Sequence, residues 1–253
     1  MTLLTTECPQ LKVLRVDVDT GEIFQGFSTM RRSEWLAEAE EKYGDFLAGV
    51  RCPLDTLSIN PLPGLGMKRI VEAFPNLRRL ILWDSYGWRL EPGQGYEPSD
   101  FAPLKNLRLK VLDFRQLTCF NWLQPDKHGI STFDYLFGSG SLSLALEELI
   151  LRWPFFRDWD HLIDDPRLFH PILSTIARCR RLRVLRFHHG VHERYKTKML
   201  TVFRDLHSLS REYFPCLEEL RLPCIDLRPG AYKVESSFRR KVFFVCDYIN
   251  TIY

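Results

Sequence analysis

The chain has 253 residues, of which 45% are hydrophobic and 26% are charged. This balance is typical of globular proteins, and the length suits one extended domain or two compact ones. A net charge of +3 is too small to indicate a nucleic-acid partner by itself. No uncharged apolar run approaches the roughly 18 residues of a membrane span, and the first residues lack the basic and apolar regions of a signal peptide.

One short pattern recurs along the chain: Leu-x-x-Leu, then any residue, then an aliphatic or aromatic one. Each copy predicts a short β-strand that cannot bury its apolar side alone. The seven copies begin at Leu11, Leu54, Leu77, Leu109, Leu146, Leu182 and Leu217. An overlapping match leaves two registers open for the fourth strand, one beginning at Leu104 and the other at Leu109.

The residues before the copies are also similar. Three positions before the first leucine stands Cys8, Phe74, Cys179 or Phe214, and proline follows three of these four residues. A buried apolar residue at the end of a helix, followed by a residue that cannot continue the helix, predicts a turn into a strand. The four cysteines before strands, Cys8, Cys52, Cys179 and Cys216, are therefore predicted to be small buried hydrophobic residues. The odd cysteine number and the lack of a Cys-x-x-Cys pair favour reduced thiols in the cytoplasm or nucleus.

Apolar spacing predicts helices between several of these strands, and Ser131 to Phe137 is predicted to form a single turn before a Gly-Ser break. The predicted helices are Ser33–Leu47, Gly64–Phe74, Pro166–Arg178 and Val191–Leu209. Asp84 to Pro103 is predicted to be a long loop rich in Tyr and Trp, which favours function over full disorder. Residues 233–250 are predicted to form a C-terminal cap, with helix preferred to strand.

The leucine pattern, together with the apolar residue and proline that precede it, resembles the irregular leucine-rich repeats of the F-box-associated type, which are common in large fungal families. The resemblance implies an α/β solenoid, an irregular horseshoe with a parallel sheet on the concave face and helices on the convex face. It also implies a single leucine-rich-repeat domain over residues 1–253. The implied strands lie near residues 11–17, 54–60, 77–83, 109–115, 146–152, 182–188 and 217–223.

The same resemblance carries an expectation of function. Family members often serve as the substrate-recognition arm of an F-box ubiquitin ligase. The F-box has no counterpart in this sequence, so a ligase adaptor is expected as a partner only if an F-box lies outside this chain. The first predicted strand begins after ten residues, too few for the N-terminal cap that a repeat stack needs. The sequence therefore indicates either a fragment of a longer array or another element over that edge.

Alternation along the strands predicts which residues face away from the leucines. Arg and Trp, the residue types that most often anchor protein interfaces, occur repeatedly among them. The predicted binding site for a protein or peptide comprises Trp83, Arg115, Arg152, Trp153, Arg186 and His188. A solvated sheet face with aromatic residues packed under long loops remains the alternative.

A second function of a different class stays open. His188, His189 and His192 with the Asp158–Asp165 segment could hold a metal ion and support a hydrolase. Gly190 interrupts the helix that a His-x-x-x-His pair needs, and polar loop residues explain the cluster more simply. The sequence therefore predicts a protein that is not an enzyme, without a cofactor and without a nucleic-acid or membrane partner.

Overall fold

The computed structural model of the protein describes residues 10–16, 41, 43–60, 64, 66–83, 96–117, 125–152, 169–188 and 213–221. Over these residues the protein is α/β, with seven strands in one sheet. Every neighbouring pair is parallel, and the spatial order of the strands is their order in the chain. The strands are β1 (Val13–Val16), β2 (Thr56–Ile59), β3 (Arg79–Trp83), β4 (Val111–Gln116), β5 (Glu148–Arg152), β6 (Val184–His188) and β7 (Glu219–Arg221).

The second leucines of the seven copies form a continuous row across the sheet. Each is in register with its neighbour on the next strand. From β2 to β7 these leucines are at most 1% exposed, so the row is the centre of the core. The row comprises Leu14, Leu57, Leu80, Leu112, Leu149, Leu185 and Leu220. The predicted strand positions are confirmed, and the fourth copy takes the register that begins at Leu109.

The turn that leads into a strand recurs with the same hydrogen bonds. Phe74, Cys179 and Phe214, each three residues before a first leucine, accept the N–H of that leucine at 3.0–3.2 Å. Leu104 likewise accepts the N–H of Leu107 at 3.0 Å, but Leu107 comes two residues before Leu109, the first leucine of the fourth copy. The turn predicted from the sequence thus has a physical basis. The buried apolar residue ends the helix, and its carbonyl group accepts the hydrogen bond that closes the turn.

The described helices precede the strands and pack beside one another. They are α1 (Gly66–Ala73), a 3-10 helix (Pro98–Asn106), α2 (Thr132–Phe137), α3 (Ser141–Ala145) and α4 (Phe169–Ile176), and residues 43–49 are also helical. The 3-10 helix contacts α1, α2 and α3, and α2 contacts α4. The core buries Met67, Ile70, Phe133, Leu136 and Leu173 from this layer together with the leucine row.

These helices confirm several predictions and correct others. The helices predicted over Gly64–Phe74 and Pro166–Arg178, and the turn at Ser131 to Phe137, are present within one to three residues wherever the structure describes them. The helix α3 was not predicted, because the sequence was interpreted there only as a Gly-Ser break. The predicted helix Val191–Leu209 and the cap at 233–250 lie outside the described residues, as does the first part of Ser33–Leu47.

The segment predicted as a long loop, Asp84 to Pro103, is partly helical. Its last six residues belong to the 3-10 helix, which starts with Pro98 and has the Asp100 carboxylate accepting the Glu97 N–H at 3.0 Å. The Tyr96 ring packs at 5.8 Å from Phe101, and Phe101 packs edge-on against Phe114 at 5.6 Å. Tyr96 is therefore a core residue, and its aromatic ring does not indicate a binding loop.

The prediction for the cysteines before strands is correct for two of them and wrong for one. Cys52 and Cys179 are buried, whereas Cys216 is exposed. Burial raises the pKa of the Cys179 thiol to about 12, so this side chain acts as a small apolar residue. Cys216 is exposed after Pro215 in the turn before β7, and Cys8 lies outside the described residues.

A short loop is fastened to the start of α2 through Asp126. One carboxylate oxygen accepts the N–H groups of His128 and Ile130 at 2.8 and 2.9 Å, and the other accepts the Tyr135 hydroxyl at 2.7 Å. The helix itself is capped by Ser131, whose hydroxyl oxygen accepts the Asp134 N–H. The three hydrogen bonds to the Asp126 carboxylate lower its pKa below the ordinary value of 3.8, and the bond from the Tyr135 hydroxyl contributes most.

Replacing Tyr135 by phenylalanine is expected to raise the pKa of Asp126 back toward 3.8. Because the folded-state pKa is the lower one, the stabilisation is complete above the unfolded-state value and is lost as pH falls through the folded value. The variant should therefore lose stability at neutral pH and differ less from the wild type at strongly acidic pH. Carboxyl NMR titration and pH-dependent melting measure both effects. His128→Ala keeps the backbone bond, so an equal pKa change in that variant would contradict the assignment to Tyr135.

Candidate functional site

The side of the sheet opposite the leucine row is here called the second face, and it is the side to which the sequence analysis assigned the binding site. Successive side chains of a strand alternate between the two sides, so the residues on either side of each leucine belong to the second face. The register sets them in two rows. The rows are Val13, Thr56, Arg79, Val111, Glu148, Val184 and Glu219, and Arg15, Ser58, Ile81, Asp113, Ile150, Arg186 and Arg221.

The centre of the second face is buried, which corrects the expectation that the whole face is exposed. Asp113 is 1% exposed, Ile150 is 2% and Trp83 is 7%. None of these three side chains belongs to the hydrophobic cluster around the leucine row. At the β1 end of the face, by contrast, Val13 is 61% exposed and Arg15 is also exposed. Among the described residues of the second face, a large partner would therefore first contact the exposed side chains at the β1 end.

Arg15 and Trp83 form a cation–π pair at that end. The Arg15 guanidinium carbon lies 5.3 Å from the centroid of the Trp83 ring, within the roughly 6 Å over which such pairs attract. The two residues belong to β1 and β3, which are two strand spacings or roughly 10 Å apart. Arg15 is in register with Ser58 and Ser58 with Ile81, so the Arg15 side chain crosses β2 toward a residue two positions beyond its own row on β3.

The indole N–H of Trp83 is a further feature of this pair. It is buried and donates to no acceptor in the described part of the structure. Buried donors usually have an acceptor, and an unsatisfied one costs stability. Trp83 thus combines an aromatic surface held under a cation with a donor that an added carbonyl or carboxylate oxygen would satisfy.

A β-bulge separates Arg115 from Trp83. Ile81 pairs with Asp113, but Trp83 pairs with Gln116, so β4 contains one extra residue at this point. Trp83 and Arg115 hold the same position in the third and fourth leucine copies, but the bulge shifts the pairing of β4 by one residue, so Trp83 pairs with Gln116. The Arg115 side chain lies outside what the structure describes.

The other predicted site residues are placed only by their backbone. Arg152 on β5 pairs with His188 on β6, so these two predicted residues are neighbours in the sheet. Their side chains, and all of Trp153, lie outside the described part of the chain. The partner-binding role of all six predicted residues stays a prediction.

Arg186 lies between two glutamates on the second face. Its guanidinium group contacts Glu148 at 2.8 Å and forms two bonds to Glu219 at 2.9 and 3.2 Å. The Glu219 carboxylate is the main cause of the raised pKa of Arg186. Arg79 approaches Glu148 from the other side at 3.9 Å. These four side chains, here called the charged row, have no net charge, so Arg186 is already engaged within the protein.

A second row of charges lies at the edge where the strands begin, and the sequence analysis missed it. The residue immediately before each strand is charged, in the order Lys12, Asp55, Arg78, Lys110, Glu147, Arg183 and Glu218. The backbone carbonyl group of each of the first six residues accepts two backbone N–H groups from the start of the next strand. Three opposite-charge pairs lie close, at 3.9 Å for Asp55–Arg78, 2.9 Å for Lys110–Glu147 and 2.6 Å for Arg183–Glu218. The sequence did contain a signal for this row, because the second residue of every leucine copy is charged.

The described residues form a small cleft near the start of the sheet and no metal site. A cleft of about 220 Å³ between the turns before β2 and β3 is lined by Arg51, Cys52, Phe74 and their neighbours. It is smaller than the roughly 300 Å³ at which ligand pockets begin. Among these residues no group of His, Cys, Asp and Glu could hold a metal ion. His189, His192 and Asp158–Asp165 lie outside the described ranges, so the hydrolase alternative stays a prediction.

The comparison with protein-family models gives no match for this chain, and the comparison with curated proteins gives none either. Within the described residues, no helix combines the length and the apolar character that crossing a bilayer requires. Arguments about function therefore depend on the geometry of the sheet and its edge.

Proposed function

We propose that the protein is a non-enzymatic interaction module built as a leucine-rich-repeat solenoid, with the second face as its concave side. The support is the parallel sheet in chain order, its leucine row, and the recurrence of one turn before β3, β6 and β7. Repeat proteins of this kind stack similar units and use the extended concave surface for binding. The predicted single domain over residues 1–253 belongs to this proposal.

A protein or peptide partner contacts the second face at its β1 end. The observation that carries this assignment is the Arg15–Trp83 pair, because a cation held over a ring is a preorganised, partly desolvated anchor. Arg15 is exposed, and Arg79 on the same face is 47% exposed. A partner that presents acceptor oxygens next to an apolar group suits this surface, which combines Arg15, Trp83 and the exposed Val13.

The charged row gives this surface selectivity. Because Arg79, Glu148, Arg186 and Glu219 neutralise one another, they attract neither strongly acidic nor strongly basic partners over long distances. A partner that covers the row must leave these ion pairs intact or replace them, since a buried charge without a partner is costly. Binding here therefore depends on shape and on matched hydrogen bonds.

The finer role that we propose is substrate recognition for an F-box type ubiquitin ligase in the cytoplasm or nucleus. The warrant is the resemblance of the leucine pattern to F-box-associated repeats, which is an analogy at the level of fold. In this role the second face receives the substrate, and an adaptor binds an F-box that lies outside this chain. Affinity capture of the full-length gene product should recover a ligase adaptor, and its consistent absence would remove this role.

Proximity labelling of the full chain tests the binding face. Arg15→Ala should reduce the labelling of authentic partners by about fivefold, because it removes an anchor of the hot-spot type. Arg78→Ala is the matched control, since Arg78 is an exposed arginine that lies at the sheet edge. Partners that are retained by Arg15→Ala but lost by Arg78→Ala would contradict the second face as the binding site.

A further inference from the structure

The leucines of the first strand, β1, are less covered than those of the other six strands. Its core leucine, Leu14, and the first leucine of its copy, Leu11, are only partly buried, whereas the equivalent leucines of β2 to β7 are at most 7% exposed. Val13, on the second face of β1, is 61% exposed. At the other end of the sheet, Leu217 and Leu220 are 7% and 1% exposed. The core is therefore incomplete at the β1 end and closed at the β7 end.

The backbone of β1 has hydrogen-bonding groups at the outer edge of the sheet. On β2 to β7, the residue equivalent to Val13 and the residue before it both donate their N–H groups to one carbonyl of the preceding strand, at 2.7–3.1 Å. Within the described residues β1 has no strand on that side, so the N–H groups of Lys12 and Val13 lie at the edge. Such an edge is a template for a further strand, and strand addition is a recurring mode of peptide recognition.

The sequence of the β1 copy repeats that of the β6 copy. Leu11–Val16 and Leu182–Phe187 share leucine, a cation, valine, leucine, arginine and an apolar residue in that order, and no other of the seven copies has this combination. The strand before β6 is β5, whose copy begins with leucine, two glutamates and leucine. The pairing of β5 with β6 therefore shows, within the same protein, which kind of strand fits beside this sequence.

Three kinds of contact hold β5 against β6. The Glu147 carbonyl accepts the N–H groups of Arg183 and Val184 at 2.8 and 3.0 Å. The Glu148 carboxylate contacts the Arg186 guanidinium at 2.8 Å. The core leucines of the two strands are in register and at most 1% exposed. At the equivalent positions β1 offers two edge N–H groups, an exposed arginine and a leucine that is only partly covered.

We propose that β1 binds a parallel strand of a partner protein that begins with the sequence Leu-Glu-Glu-Leu, here called the added strand. The first glutamate of the added strand lies beside Lys12, and its carbonyl accepts the N–H groups of Lys12 and Val13. The second glutamate binds the Arg15 guanidinium, as in the pairing of β5 with β6. The second leucine of the added strand packs beside Leu14, which buries apolar surface and completes the core.

The occupant of this edge is a strand of another protein and not a second copy of this chain. Two glutamates between leucines occur in the copies of β5 and β7. However, β5 has a strand on each side, and the leucines of β7 are already covered. The inference rests on the function proposed above, since both need a partner at the β1 end. It is nevertheless a separate claim, because a partner can contact Arg15 and Trp83 without pairing with β1.

Fluorescence anisotropy with the full chain tests the added strand. The probe is a labelled peptide with the sequence of Leu146–Arg152, and a scrambled peptide of the same composition is its control. Lys12→Gln/Arg15→Gln should weaken binding of the probe about tenfold, taking a factor of roughly three for each exposed charge pair. Lys68→Gln/Arg69→Gln removes two exposed cations from α1 and should leave the affinity within about twofold.

Val13→Pro separates strand addition from charge. Proline has no N–H to donate, but an edge strand tolerates it where that N–H faces outward. The variant should weaken binding of the probe about fivefold through the loss of one backbone hydrogen bond, whereas Val13→Thr keeps the N–H and should stay within about twofold. Amide exchange at Lys12 and Val13 should slow when the probe binds, and circular dichroism checks the fold of each variant.

Three results would overturn the proposal. The first is that the probe shows no detectable binding or binds no more tightly than its scrambled control. The second is a loss of binding in Lys12→Gln/Arg15→Gln but not in Val13→Pro. The partner would then contact the second face without adding a strand, so the proposed function would stand and this inference would not. The third is self-association of the chain that the probe prevents, which would make a second copy the occupant.

Discussion

Replacement of Leu112 by alanine is expected to lower the free energy of unfolding by about 3 kcal/mol. Leu112 is fully buried on the central strand, in register with Leu80 on one side and Leu149 on the other. Removing three side-chain carbons there leaves a cavity in the leucine row, and the neighbouring strands cannot close it because their hydrogen bonds hold them apart. Chemical denaturation monitored by circular dichroism measures the loss.

The control for this variant is Leu144→Ala. The same atoms are removed, but Leu144 is 72% exposed, so the free energy of unfolding should change by less than about 0.5 kcal/mol. Equal losses in the two variants would contradict the leucine row as the centre of the core.

Replacement of Arg186 by methionine is expected to cost about 2 kcal/mol of stability, as for loss of partly buried bonds to charged groups. The Arg186 side chain is 26% exposed, and the Glu148 and Glu219 side chains are 17% and 19% exposed. Methionine preserves much of the apolar volume but leaves two poorly solvated carboxylates near each other. Adding Glu219→Gln to the variant should recover part of the loss, because one of the two carboxylates is then neutral.

Arg183→Met provides the comparison for Arg186. The Arg183–Glu218 contact is the shorter one at 2.6 Å, but the two side chains are 54% and 40% exposed. Water solvates both groups after the pair is broken, so we expect a much smaller loss of stability than for Arg186. A larger loss for Arg183→Met in the same denaturation experiment would mean that contact distance, and not burial, governs these ion pairs.

The position of the strands could be predicted because the relevant signal is local and repeated. Each leucine copy specifies which side of its strand is buried, and the residue three positions earlier specifies the turn. Phe74, Cys179 and Phe214 illustrate this, since each is buried and each accepts the N–H that ends its turn. The same reasoning missed α3, because its five residues follow two glycines and carry too short an apolar pattern.

The candidate sites were less predictable because they depend on contacts between distant residues. Arg186 was predicted to face a partner, but the glutamates that neutralise it lie on two other strands. Trp83 and Arg115 hold equivalent positions in their leucine copies, but a single extra residue in β4 pairs Trp83 with Gln116. The cation that does contact the Trp83 ring is Arg15, which is 68 positions earlier in the chain and was not among the predicted site residues.

The sequence by itself determined where the strands lie, which side of each strand is buried and where the turns before them end. These features depend on leucine spacing and on helix-ending residues, which are only a few positions apart in the chain. Only the tertiary structure decided which charges are neutralised and which part of the second face is covered. Arg186, for example, contacts Glu148 and Glu219, which lie on two other strands. Such meetings depend on the packing of whole elements, which no local pattern in the chain records.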